Sequence, residues 1–174
     1  RAVAQMLTGE INPSGRLTDT VAYSVEDHPS TECFGTYEYE GGGYYVEYLE
    51  GIYVGYRYFE TFHPEQVLYP FGFGLSYTEF DISSTISYVG DEVKVKATVT
   101  NIGDTYSGKE VVQVYFGAPQ GKLGKPVKEL AAYAKTNEIA PGASQTLTIS
   151  FPISNMSSYD DTGITGHKSA WVLE

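Results

Sequence analysis

Acidic side chains are the most numerous groups in this sequence that could perform acid–base chemistry. The chain has 22 aspartate and glutamate residues, and two pairs, Glu47 with Glu50 and Asp160 with Asp161, invite comparison with a catalytic dyad. Two carboxylates divide acid and base roles when an apolar environment raises the pKa of one of them. No apolar pocket is indicated around either pair. We therefore predict that both pairs are solvated surface charge, and we predict no catalytic residue in the chain.

Metal ligands and reactive thiols are sparse and scattered. His28, His63 and His167 each stand without a second ligand at a spacing typical of zinc sites. Cys33 has no evident partner base, which predicts a packed or surface thiol. Acidic residues in predicted turns lack the regularly spaced oxygen ligands of a calcium loop: Asp91, Asp104, Asp160 and Asp161. The sequence predicts no metal site and no cofactor, and it leaves substrate-binding residues unknown.

The aromatic stretch "EGIYVGYRYFE" (50–60) is the other candidate for chemistry. The rings of Tyr53, Tyr56, Tyr58 and Phe59 could stack on sugars, but large aromatic rings more often bury their area at domain seams. We favour packing, and we expect Arg57 to pair with a carboxylate or a carbonyl. The composition of this stretch is typical of a strand.

Composition and charge limit the class of protein. The chain has 174 residues, of which 41% are hydrophobic, and a formal net charge of −11. This charge disfavours nucleic-acid and membrane-surface partners, because phosphate groups would be repelled. No run of roughly 18 apolar residues is present. A single cysteine and the absence of a recognisable signal peptide leave the localisation unknown.

The second half of the chain has the pattern of a β-sandwich. "VKVKATVT" (93–100) alternates strictly, "EVVQVYFGAP" (110–119) is more continuously apolar, and "QTLTISF" (145–151) alternates again. Turns separate these strands at regular intervals, and "AWVLE" (170–174) could begin a last strand. The predicted fold is mainly β, an immunoglobulin-like sandwich of fibronectin type III character. The residues predicted to be buried share its inward face: Val95, Ala97, Val99, Val112, Val114, Leu147, Ile149 and Phe151.

The first half resembles the end of a domain whose beginning lies elsewhere. "RAVAQMLTG" (1–9) has helical spacing, "RLTDTVAY" (16–23) could be a strand, and "FGTYEYEGGGYYVEY" (34–48) reads as a loop. These elements alone do not bury a core. We predict a partial α/β segment over residues 1–76, followed by the sandwich over residues 77–174.

Three motifs carry a resemblance to a known family. "GEINPSGRLTDT" (9–20), "EGIYVGYRYFE" (50–60) and "LYPFGFGLSYTEF" (68–80), in this order and followed by a sandwich, resemble glycoside hydrolase family 3. The resemblance covers essentially the whole chain. The family usually has proline where this chain has Thr18, which we regard as a tolerated loop difference. The resemblance implies that residues 1–76 end an α/β-sandwich domain and that residues 77–174 are a fibronectin type III-like domain.

The resemblance also implies what this chain lacks. Family members are retaining, exo-acting enzymes of the β-glucosidase type that use an aspartate nucleophile on a (β/α)8 barrel and an acid/base glutamate on the α/β-sandwich domain. Retention requires the two carboxyls to lie about 5–5.5 Å apart. No position in this chain matches either residue. We therefore expect a structural fragment without catalytic carboxylates, whose partners are the remaining domains and whose parent acts on β-linked oligosaccharides or glycosides.

Two further expectations follow. Family members usually continue beyond "AWVLE" with a closing strand, so the sandwich could lack its last strand and self-associate through an open sheet edge. The alternative function is an autonomous carbohydrate-binding or adhesion module of fibronectin type III type. Such a module needs an aromatic platform on one face, and the available rings do not select one: Tyr88, Tyr106, Tyr115, Tyr133, Tyr159 and Trp171.

Overall fold

The computed structural model describes residues 1–35 and 37–174 and contains two short α-helices and eleven β-strands. The helices are α1 (Ala2–Leu7) and α2 (Tyr56–Phe62). The strands are β1 (Val21–Ala22), β2 (Tyr37–Glu38), β3 (Tyr44–Tyr45), β4 (Val67–Tyr69), β5 (Phe80–Val89), β6 (Glu92–Asn101), β7 (Val111–Phe116), β8 (Glu129–Lys135), β9 (Ser144–Pro152), β10 (Ser158–Asp160) and β11 (Ala170–Val172). No helix among the described residues is long and apolar enough to cross a membrane.

A β-sandwich is formed by strands β5 to β9. One sheet has the strand order β5-β6-β9 and the other pairs β7 with β8, and all of these pairings are antiparallel. Strand β6 alternates between buried and more exposed residues along its whole length, as its sequence predicted. The prediction of a mainly β sandwich is confirmed.

The predicted inward face is largely buried. All of its residues except Val114 and Leu147 are buried, and these two are partly buried against the same cluster. Leu147 lies on β9, at the edge of its sheet, and Val114 adjoins an irregularity in the β7–β8 register. Val93 and Ile139 complete the cluster.

The end of the chain forms a separate small pairing. Strand β11 lies within the predicted final strand and pairs with β10, so that Tyr159 lies opposite Trp171. The partner strand β10 was not predicted, because three residues are too few to show a period-two pattern.

Residues 1–16, 74–125 and 129–174 form one compact unit, and residues 17–73 and 126–128 form a second. The first unit therefore contains α1 as well as the sandwich. Helix α1 ends at Leu7, and Gly9 follows it with a left-handed φ of 75°. The division of the chain into 1–76 and 77–174 concerns the domains of a longer protein and stays a prediction.

The second unit departs from the sequence prediction at two places. Of the strand predicted over residues 16–23, the structure forms only the short strand Val21–Ala22, which pairs with β4. The prediction of a strand within residues 50–60 is wrong, because Tyr56–Phe62 forms helix α2. Gly55 precedes this helix with φ 57° and ψ −130°, a conformation that favours glycine. Aromatic composition favours strands on average. In this helix, however, only one side is buried, and Phe59 is its fully buried residue.

Candidate functional site

Asp160, one of the candidate dyad residues, is a buried loop cap. Its Oδ1 accepts hydrogen bonds from the N–H groups of Gly163 (2.6 Å) and Ile164 (3.2 Å). Its Oδ2 accepts from the N–H (2.8 Å) and the hydroxyl (2.6 Å) of Thr165. The Thr165 hydroxyl, together with these N–H groups, holds the pKa of Asp160 well below its usual range, although burial acts to raise it. The prediction that Asp160 is solvated surface charge is wrong, whereas Asp161 is exposed.

The other acidic pair contains one residue that contacts the cysteine. Cys33 is buried, and its Sγ lies 3.5 Å from the carbonyl oxygen of Ser30 and 3.9 Å from Oε2 of Glu50. Glu47 is exposed and Glu50 is half-buried. Of the two predicted environments for Cys33, packed or surface, the structure shows the packed one.

The histidines lie in unrelated surroundings. The ring of His28 packs edge-on against Phe59 with centroids 5.2 Å apart. Nδ1 of His63 lies 3.1 Å from Oε1 of Glu65, and His167 is exposed. Within residues 1–35 and 37–174, no group of three or more His, Cys, Asp or Glu side chains is placed to hold a metal ion.

The aromatic candidates of residues 50–60 pack against neighbouring rings. Phe59 is fully buried, and Tyr56 lies over Phe71 with centroids 4.8 Å apart. The rings of Tyr53 and Tyr58 both pack against Phe62, with centroid distances of 4.9 Å and 5.6 Å. This arrangement is a ring cluster on and around α2, the packing that the sequence favoured. The predicted pairing of Arg57 with a carboxylate or a carbonyl stays a prediction.

Residues 126–128 dock on the same helix. Nζ of Lys128 lies 3.0 Å from Oε1 of Glu60, and the N–H of Val127 donates to Oγ1 of Thr61 (3.2 Å). Thr61 in turn donates to the carbonyl oxygen of Arg57 (2.6 Å). The polar side of α2 thus holds this loop, while Phe59 faces inward.

Residues 12–16, the "NPSGR" part of the first motif, form an anchor segment that is tied to the sandwich at three points. Oδ1 of Asn12 accepts from the N–H of Tyr77 (2.8 Å), and its Nδ2 donates to the carbonyl oxygen of Ser107 (2.9 Å). Nζ of Lys135 donates to the carbonyl oxygen of Ser14 (2.7 Å).

The third tie is the ion pair of Arg16 and Glu110. Nη2 of Arg16 contacts both carboxylate oxygens of Glu110, and Nη1 donates to the carbonyl oxygen of Gly74 (2.8 Å). Both side chains are largely shielded, with 17% and 13% exposed. Arginine is suited to this position because its planar fork presents several donors in fixed directions. The side chains of Asn12 and Arg16 both bind residues outside the segment. The anchor segment is therefore attached to the sandwich by these contacts.

A buried amide lies at the end of β6. Asn101 is fully buried, and its Nδ2 donates to the carbonyl oxygens of Tyr106 (2.8 Å) and Ile139 (2.9 Å). Its Oδ1 accepts from the hydroxyl of Thr78 (2.5 Å) and the N–H of Gly103 (3.1 Å). Four hydrogen bonds satisfy the donors and acceptor of this amide, and they offset the cost of removing it from water.

A lysine–glutamate pair closes the loop between β7 and β8. Lys125 is almost fully buried, and its Nζ lies 2.9 Å from the carbonyl oxygen of Pro119 and 2.7 Å from Oε2 of Glu174. The Glu174 carboxylate also accepts from the N–H groups of Lys122 (2.8 Å) and Leu123 (3.2 Å). The hydrogen bond from Lys125, followed by these N–H groups, lowers the pKa of Glu174 to about 2.

The carboxylates of Asp160 and Glu174 are suited to stabilising loops and not to acid catalysis. A general acid at neutral pH needs a raised pKa, whereas Asp160 and Glu174 both have lowered pKa values. Turn chemistry gave a signal for Asp160, because aspartate side chains often bond to nearby backbone in turns, whereas the partners of Asn12 lie 65 and 95 residues away. No local signal links Arg16 to Glu110, since the two are 94 residues apart.

Comparisons with known proteins agree with this structural picture. Residues 110–174 match the family model described as "Fibronectin type III-like domain". The chain is 49% identical to beta-glucosidase A of Butyrivibrio fibrisolvens, with 99% of the chain and 22% of the relative covered. A solved beta-glucosidase of Paenibacillus barengoltzii superposes with a TM-score of 0.90 at 51% identity, covering 99% of this chain and 18% of that one. A GH3 beta-glucosidase of Bifidobacterium adolescentis gives 0.85 at 32% identity, covering 99% and 24%.

The molecule is therefore a mainly β protein, and its sandwich is a fibronectin type III-like domain. Over nearly its whole length the chain is similar to segments of beta-glucosidases, one of them a GH3 enzyme, and its resemblance to glycoside hydrolase family 3 is confirmed. It spans about a fifth of the length of the relatives named above.

Proposed function

We propose that this chain is a structural segment of a retaining, exo-acting β-glucosidase and that it contributes no catalytic carboxylate. The observation that carries the proposal is the 49% identity over 99% of the chain to a beta-glucosidase of which only 22% is covered. The engagement of Asp160, Glu110 and Glu174 in hydrogen bonds within the chain supports it. In this role the sandwich and the anchor segment stabilise a larger enzyme.

The partners of the chain are, on this proposal, the remaining domains of the longer enzyme. Residues 1–76 complete an α/β-sandwich domain and residues 77–174 form the fibronectin type III-like domain. The longer protein acts on β-linked oligosaccharides or glycosides. Neither a nucleic acid nor a membrane is a partner, because a net charge of −11 repels phosphate-rich surfaces.

An activity assay tests the proposal directly. The 174-residue chain is incubated with a chromogenic aryl β-glucoside, with a complete family 3 β-glucosidase as the positive control. We expect no turnover. Turnover that survives repurification and is lost on Glu50→Gln, while Glu47→Gln retains it, would assign catalysis to this chain and overturn the structural role.

The second candidate, a carbohydrate-binding module, has one observation in its favour. Trp171 is 70% exposed and borders a shallow depression of about 500 Å³, whose other lining residues are Leu130, Ala131, Ser154, Asn155 and Ser157. An exposed indole beside an amide and hydroxyl groups suits the apolar face and hydroxyls of a pyranose. Affinity electrophoresis in β-glucan gels tests it: Trp171→Ala should abolish retardation, whereas Tyr133→Ala, an equally exposed ring, should not.

We also propose that the chain self-associates through an open sheet edge. Strands β5 and β9 end their sheet, and among the described residues β5 pairs only with β6. An open edge presents unpaired N–H and C=O groups that favour pairing with another strand. Sedimentation velocity over a concentration series should show an increasing average mass, and a constant monomeric mass would refute self-association.

A further inference from the structure

Strand β5 carries apolar side chains on the core side of its sheet that the core does not cover. The β5–β6 register places Ile82 opposite Val99, Ile86 opposite Val95 and Tyr88 opposite Val93. Directly opposite residues of an antiparallel pair lie on the same face. The β6 residues of these pairs are buried.

The β5 residues of the same pairs are exposed. Ile82, Ile86 and Tyr88 retain 45%, 61% and 71% of their surface. Phe80, at the start of the strand, packs against the core cluster. The inward face of the sheet therefore continues past the core as an apolar strip, which we call the β5 strip (Ile82, Ile86 and Tyr88).

The edge beside this strip lacks several of the usual protections. Strand β5 is ten residues long, and its pairing with β6 runs from Phe80 to Val89 without a register shift. Its sequence "FDISSTISYV" contains one charged residue, Asp81, and neither proline nor lysine. Soluble proteins usually blunt a sheet edge with lysine, proline, a bulge or a short strand. This edge can therefore accept another strand along its full length.

We propose that β5 pairs antiparallel with β5 of a second copy, about a twofold axis at Ser84. This inference rests on the self-association proposed above and specifies its edge and register. The pairing joins the two three-stranded sheets into one continuous sheet. It is isologous, because the same strand serves both copies.

The register follows from matching side chains across the axis. Centring the pair on Ser84 places Ile82 opposite Ile86 and Phe80 opposite Tyr88 of the second copy, all on the core-side face. On the other face Asp81 lies opposite Ser87, so the two carboxylates do not meet. A shift of the axis by one residue, to Thr85, would place Ile86 opposite Ser84 and leave Asp81 opposite Val89. The Ser84 register is thus the one that pairs apolar with apolar side chains.

Charge favours a second copy at this strand in spite of the acidity of the chain. Each copy has a net charge of −11, but the ten residues of β5 contribute a single carboxylate. Repulsion between the copies is therefore long-range and screened by salt, whereas the contact itself is apolar. Association should strengthen as the salt concentration rises from about 0.01 to 0.15 M.

Charge substitutions in the β5 strip test the register. Sedimentation of the unaltered chain should show a dimer, and the variant Ile82→Lys/Ile86→Lys should raise the Kd at least about tenfold, since ammonium groups then face each other across the axis. The matched variant Ile82→Glu/Ile86→Lys should restore the dimer, because the carboxylate at position 82 then lies opposite the ammonium at position 86 of the second copy. Circular dichroism checks that all variants fold, as expected for exposed positions.

Cross-linking gives an independent test. In a Cys33→Ser background, Ser84→Cys places two thiols at the axis and should form a disulfide-linked dimer under mild oxidation. Ser83→Cys, which lies opposite Thr85, is the control and should cross-link much more weakly. A monomeric chain would overturn the β5 pairing. So would a dimer whose Kd neither double variant changes and that Ser84→Cys does not cross-link. The aryl β-glucoside assay is independent of these outcomes, so the structural role and the strand pairing can fail separately.

Discussion

Arg16 and Glu110 lie 94 residues apart in the chain and share an ion pair in which one guanidinium nitrogen contacts both carboxylate oxygens. The pair joins the anchor segment to the residue just before β7. Its two side chains are far less exposed than those of Lys94 and Glu92, an ion pair on the outer face of β6, at 38% and 52%. Surface pairs contribute little to stability, whereas removing one partner of a shielded pair leaves a charge without compensation.

Breaking the shielded pair should therefore destabilise the sandwich unit. We expect Arg16→Met to lower the free energy of unfolding by about 2–3 kcal/mol, measured by urea denaturation. Lys94→Met, the matched control, should change it by less than about 1 kcal/mol. The double variant Arg16→Met/Glu110→Met should be more stable than Arg16→Met alone, since no carboxylate is then left unpaired. Equal losses for the single and double variants would contradict this account of the pair.

Acid should destabilise the chain through Glu174. Its pKa is lowered in the folded chain from the usual 4.5 to about 2, with the Lys125 hydrogen bond as the main cause. The unfolded chain binds a proton more readily, so the stabilisation is complete above about pH 4.5 and is lost as the pH falls toward 2. Thermal melts from pH 2 to 7 should show this decline, and Glu174→Gln should flatten part of it. An unchanged pH profile for Glu174→Gln would show that the Lys125 pair does not couple to folding.

The buried cap of Asp160 should control the order of residues 160–169. Asp160→Asn replaces a carboxylate that accepts from several N–H groups with an amide that has one oxygen acceptor. Hydrogen exchange at Gly163, Ile164 and Thr165 should accelerate by about tenfold or more, whereas the β6 amides should be less affected. Asp161→Asn, at the exposed neighbour, is the control and should leave exchange unchanged. Slow exchange that persists in Asp160→Asn would mean that the backbone alone holds this loop.

A charge on the inward face of β6 should unfold the sandwich. Val99 is fully buried in the core cluster, whereas Lys96 is exposed on the opposite face of the same strand. Val99→Asp places an unpaired carboxylate in the core, at a cost comparable with the about 5–15 kcal/mol that stabilises a typical domain. We expect its cooperative melt to disappear, with Lys96→Asp retaining a transition near that of the unaltered chain. If both variants melted alike, the assignment of the inward face would be wrong.

Periodicity predicted the sandwich because its strands are long enough to show it. Strand β6 alternates over ten residues, and every second side chain of its central part is buried. Helix α2 has seven residues with an aromatic composition, which is compatible with either a strand or a helix. The helix follows Gly55, which has a positive φ, and it buries Phe59; the local composition reveals neither feature.

The polar contacts were predictable only where they are local. The run Asp160-Asp161-Thr162-Gly163 is a recognisable turn, so a backbone cap by one of its aspartates could have been predicted from sequence, but the choice of Asp160 over Asp161 could not. Asn101 bonds to Ile139, 38 residues further along, and its burial depends on how the loops meet. The motif "NPSGR" identified a family, but the structure was needed to show that its side chains attach the segment to the sandwich.

The anchor segment also has a consequence for the order of folding. Its contacts reach forward along the chain by 94 residues to Glu110, 95 to Ser107 and 121 to Lys135. Contacts of such separation form late, because the intervening chain must first be ordered. On the ribosome, residues 12–16 emerge well before Ser107, Glu110 and Lys135, so each contact must wait until its partner has been synthesised, and the Lys135 contact must wait until β8 is complete. The anchor segment, although it is synthesised early, is therefore among the last parts of its sandwich unit to reach the native state.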